Sequence, residues 1–94
     1  MNPYLKTVSE IKSILQSRFC LTAEVQVIRP TGENRTQYLL ENVPLNRRMT
    51  VAGLERLCLR ITNALDANLY DSVNLEFGDS GTTFEMMAEV EESV

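Results

Sequence analysis

The chain contains no histidine and no tryptophan. Without histidine, the side chain most used for proton transfer near neutral pH is missing, and so are Ser–His and Cys–His nucleophile pairs. Aromatic residues make up only 6% of the chain, which leaves little for stacking bases or rings. Cysteine is limited to Cys20 and Cys58, and neither sits in a Cys-x-x-Cys pair. Two thiols with no imidazole argue against a structural zinc site. The expected state is two reduced thiols packed in or near a core, with no cofactor and no metal. The longest apolar runs are three residues, such as Tyr38-Leu39-Leu40, too short for a transmembrane helix. The opening MNPYLK lacks the basic-then-apolar order of a signal peptide, so a cytoplasmic protein without membrane contact is expected.

Basic residues are missing from one whole stretch. Residues 61–94 hold eight acids and no Lys or Arg, whereas residues 1–60 hold all nine bases and five acids. The net charge of −4 hides this split. A one-signed segment projects a field that a mixed surface does not, so the C-terminal third is where a charged partner is sought first.

What remains is an ordinary globular composition, 44% hydrophobic and 23% charged, in 94 residues. That is one domain, residues 1–94, with residues 91–94 expected to fray. A first helix is predicted over residues 3–19, with Asn2 as cap and Pro3 at its first position. Leu5, Val8, Ile11, Leu15 and Phe19 form its stripe. Thr7-Val8-Ser9-Glu10 is a capping-box pattern and offers a later start. Strands follow at 23–29 and 36–43, joined through Pro30-Thr31-Gly32-Glu33-Asn34. In the second, Tyr38 and Leu40 share one face, and Leu39 and Val43 the other.

A second helix is predicted over 51–69 behind the cap Thr50. Its stripe is Val51, Leu54, Leu57, Cys58, Ile61, Leu65 and Leu69, with Leu59 pointing away. Two alternating strands close the chain. Residues 73–77 set Val73, Leu75 and Phe77 against Asn74 and Glu76. Residues 83–90 set Phe84, Met86, Ala88 and Val90 against Thr83, Glu85, Met87 and Glu89. Gly78-Asp79-Ser80-Gly81 between them lacks the lysine and following helix of a phosphate-binding loop, so it reads as a turn.

The expected fold is therefore α+β, in the order α-β-β-α-β-β. It is a two-layer sandwich: a four-stranded antiparallel sheet with both helices on one face. No enzymatic site is expected, because carboxylates on an open sheet face have no cleft to shift their pKa. The candidate partner-binding residues are Glu76, Glu85, Met87 and Glu89, on the outer face of the last two strands. Carboxylates there would steer a basic protein surface, and Met87 would supply an apolar centre. Two alternatives stand beside this reading: a structural homodimer, and an acidic inhibitor of a nucleic-acid-handling protein. Arg29, Arg35, Arg47 and Arg48 form a second candidate, a phosphate-contacting site. Direct nucleic-acid binding is disfavoured by the acidic pI of about 4.7.

Overall fold

The computed structural model describes residues 5–29, 35–45, 48–78 and 81–91. Two helices and an antiparallel sheet alternate as α1 (Val8–Phe19), β1 (Glu24–Ile28), β2 (Arg35–Pro44), α2 (Val51–Ala64), β3 (Asn68–Gly78) and β4 (Gly81–Glu91). The strands lie in the order β1-β2-β4-β3, so β1 and β3 form the edges. The α+β class and the element order are those expected. The Pro30–Asn34 and Asp79–Ser80 turns, Asn2, Pro3, Arg47, Glu92 and the rest of the tail lie outside the described residues.

The helix starts follow from their caps. Leu5 to Thr7 are not helical, and α1 begins at Val8 rather than at residue 3. Thr7 Oγ1 accepts from the Glu10 N–H at 3.2 Å, and Glu10 Oε1 accepts from the Thr7 N–H at 3.3 Å. Two otherwise orphaned donors are satisfied by this reciprocal pair. Thr50 Oγ1 accepts from the Gly53 N–H at 3.0 Å and opens α2 with this single capping bond.

The end of α2 departs from the sequence reading. The helix stops at Ala64, and Asp66 takes the left-handed conformation (φ 54°) that aspartate tolerates better than most residues. Leu69 therefore belongs to β3. That strand starts at Asn68, five residues before the expected 73, with an irregular register between Tyr70 and Asn74.

One buried cluster joins both helices to the sheet. It contains Ile11 and Leu15 of α1, Leu54, Cys58 and Ile61 of α2, and Leu65 just beyond it. From the sheet come Val25, Tyr38, Leu40, Val43, Phe84, Met86, Ala88 and Val90. The β4 members are the alternate residues 84, 86, 88 and 90, as a period of two requires. Tyr38 is fully buried, and its hydroxyl oxygen accepts from the Lys6 N–H at 2.9 Å. Lys6 Nζ also pairs with Asp66 at 3.1 Å, which ties the chain before α1 to the end of α2.

Three expectations about side or burial need correction. Val43 is buried with Tyr38 and Leu40 rather than on the opposite face. An extra residue at Glu41–Asn42 shifts the register between Leu40 and Val43, and Asn42 sits at φ 54°. The bulge changes the phase of the alternation. Phe77 is 81% exposed and Leu75 44% exposed, although their register opposite Thr82 and Phe84 places them on the core-facing side. An eleven-residue strand spans about 36 Å and a fourteen-residue helix about 21 Å, so β3 outruns α2. Val51, expected in the α2 stripe, is 76% exposed at the helix start.

Candidate functional site

The sheet has a second face that contributes nothing to the buried cluster. The strand registers fix its membership. Across its middle runs the row Gln26–Leu39–Met87–Tyr70, one residue from each strand in spatial order. The row to one side is Ile28–Gln37–Glu89–Asn68. On the other side Glu24 faces Glu41, Glu85 faces Asn74, and Thr83 faces Glu76.

All four residues singled out from the sequence lie on this face. Glu85, Met87 and Glu89 alternate along β4, and Glu76 sits on the neighbouring strand. Glu76 is exposed, whereas Glu85, Met87 and Glu89 are half-buried in the middle of the sheet. Glu89 is not a free carboxylate: Arg35 Nη1 lies 3.0 Å from its Oε1. Glu76 and Glu85 have no ion-pair partner among the described residues. Two further carboxylates, absent from the sequence-based site, extend the rim along β1 and β2. Glu41 accepts from Gln26 Nε2 at 3.1 Å, and Glu24 accepts from Asn42 Nδ2 at 3.0 Å. The face thus holds Glu24, Glu41, Glu76, Glu85 and Glu89 against the single cation Arg35 among the described side chains. Its centre, Leu39, Met87 and Tyr70, is apolar.

Tyr70 was missed by sequence reasoning because the predicted helix ran to residue 69. The available signal was the Asp66-Ala67-Asn68 cluster, whose acid and amide favour a turn before Tyr70.

The basic candidates do not gather. Arg29 and Arg35 flank the connection between β1 and β2, and Arg48 follows the other end of β2. A ten-residue strand separates them by roughly 30 Å. Arg35 is engaged with Glu89, and Arg47 lies outside the described residues.

Both cysteines are free. Cys58, a residue of α2, is buried, and burial, with a smaller push from Glu55, raises its thiol from the ordinary 9.0 to about 11. Such a thiol is an inert core group, not a nucleophile. Cys20 is exposed, contrary to the expectation that both would pack inward; it caps α1 in the left-handed region at φ 54°. Among the described residues no cluster of His, Cys, Asp and Glu could hold a metal, and no helix is long and apolar enough to cross a membrane.

A second surface feature lies at the β3 edge. A groove of about 480 Å3 runs between α2 and β3, lined mainly by Val51, Leu54, Leu59, Leu69, Val73 and Leu75. Leu59 is 51% exposed on its rim, and Glu55 is the one charged residue lining it.

Comparison with known proteins gives no match to a family model, a curated protein or a solved structure.

Proposed function

We propose that this chain is a non-enzymatic protein-binding module. In this reading the two helices form one layer over the core-facing side of the sheet, and the opposite sheet face receives a basic partner. The observation that carries the proposal is the row Leu39–Met87–Tyr70 framed by Glu24, Glu41, Glu76, Glu85 and Glu89. An apolar centre inside a charged rim is the anatomy of a recognition surface: the rim sets encounter rate and selectivity, and the centre supplies desolvation. Glu76 and Glu85 act as steering charges. Arg35 holds Glu89 beside the apolar row and reduces the charge there. That apolar middle favours a protein knob with basic flanks over imitation of a phosphate backbone, which needs charge throughout.

The test is affinity capture from a lysate with the immobilised protein. Glu76→Gln, Glu85→Gln and Glu89→Gln combined should weaken capture and flatten its salt dependence. Met87→Ser should weaken capture with the salt dependence intact. Equal capture by all three proteins removes this face from contention.

A further inference from the structure

We propose that the α2–β3 edge is the docking site for a second copy of this chain, giving a two-fold dimer separate from the sheet face described above. Among the described residues neither edge strand of the sheet pairs with a further strand, but the two differ. β1 has five residues, whereas β3 has eleven and carries Leu69, Leu75 and Phe77 on its core-facing side. A long edge strand with exposed apolar side chains pairs readily with another strand unless something blocks it. The irregularity between Tyr70 and Asn74 bends part of this edge, which leaves the regular stretch Asn74–Gly78 available.

On the core-facing side of this edge the exposed apolar side chains are Val51 and Leu59 on α2 with Leu69, Leu75 and Phe77 on β3. Together they present on the order of 500 Å2, the size at which a surface patch marks an interaction site. A stable interface buries about 800 Å2 per partner, and the strand backbone with the stems of Glu55 and Arg56 supplies the remainder.

The two-storey shape of the patch selects the occupant. A lone extended peptide added to β3 would cover Leu75 and Phe77 but leave Val51 and Leu59 on the helix above uncovered. A second copy brings its own helix above its own edge strand at matching height. Antiparallel pairing of β3 with itself is two-fold symmetric, so one patch serves both copies. An antiparallel pair of α2 helices with its two-fold axis between Glu55 and Arg56 also places Arg56 of each copy beside Glu55 of the other, which supplies the rim with opposite charges.

Sedimentation equilibrium from about 1 to about 200 µM tests this, because a dimer's population follows concentration. The wild type should move toward twice its 10.7 kDa mass. Phe77→Asp and Leu59→Glu, each at an exposed position, should raise the dissociation constant at least tenfold while circular dichroism stays unchanged. The triple Gln variant of the sheet face should dimerise like the wild type, which separates this proposal from the partner-binding one. A wild type that stays at 10.7 kDa throughout overturns the proposal, as does a dimer indifferent to both edge substitutions.

Discussion

Phe84 and Phe77 have the same chemistry, lie on the same side of adjacent strands, and differ in one respect: Phe84 is 0% exposed and Phe77 81%. Phe84 sits between its register partners Val43 on β2 and Leu75 on β3. Phe84→Ala removes a fully buried ring and leaves a cavity that β-sheet neighbours fill poorly, at a cost of about 3–5 kcal/mol. Against a total of about 5–15 kcal/mol, that is a large share of the stability. With a urea slope of about 2 kcal/mol/M the midpoint falls by roughly 2 M, and the slope itself stays the same. Phe77→Ala should change the stability of the monomer by no more than about 0.5 kcal/mol. Urea unfolding by circular dichroism at low micromolar concentration keeps self-association out of the measurement. If both alanines cost the same, or Phe84→Ala costs under about 1 kcal/mol, the placement of β3 and β4 relative to the helices is wrong.

The two thiols should react very differently with a thiol reagent at pH 8: Cys20 at once, and Cys58 only after denaturant is added; equal rates in the folded protein would contradict the burial of Cys58. The raised thiol pKa also has a stability consequence. Between about pH 9 and about 11 the folded protein keeps a proton that the unfolded chain releases. Its contribution is complete below pH 9 and is lost as pH climbs through 11, a decline of order 2–3 kcal/mol that Cys58→Ala should remove. At the bulge, Asn42→Gly should cost only a few tenths of a kcal/mol, because glycine accepts positive φ, whereas Asn42→Val should cost about 1–2 kcal/mol. Indistinguishable melting curves for these two variants would refute the left-handed assignment.

Much of the fold was legible where one periodicity stood alone. In residues 83–90 the alternation has no rival, and all four predicted inward residues, Phe84, Met86, Ala88 and Val90, are buried. The Thr7–Glu10 capping box likewise located the start of α1 better than Asn2-Pro3 did. Errors arose where two periodicities agreed. Leu65 and Leu69 are four residues apart, which satisfies both a helical stripe and an even strand spacing. The break between them depends on the backbone of Asp66, which no hydrophobic pattern records. Val43 failed for the opposite reason, since a bulge inserts a residue without leaving a gap in hydropathy. Phe77 was assigned to the correct side of the sheet but not to the correct environment, because burial depends on the relative lengths of α2 and β3. Of the candidate site, Glu76, Glu85, Met87 and Glu89 were gathered by alternation alone. Tyr70 and Leu39 joined them only through strand order, and the Arg35–Glu89 pair required the β2–β4 register.

The bulge at Glu41–Asn42 makes β2 a strand with two reading frames. Upstream residues face the core at even numbers, and Val43, at an odd number, faces it downstream. Inserting one more residue between Asn42 and Val43 would leave composition and hydropathy almost untouched yet turn Val43 and everything after it by half a turn, so that a valine would meet water and Pro44 would face the core. In this strand the number of residues is therefore as strict a specification as their identity.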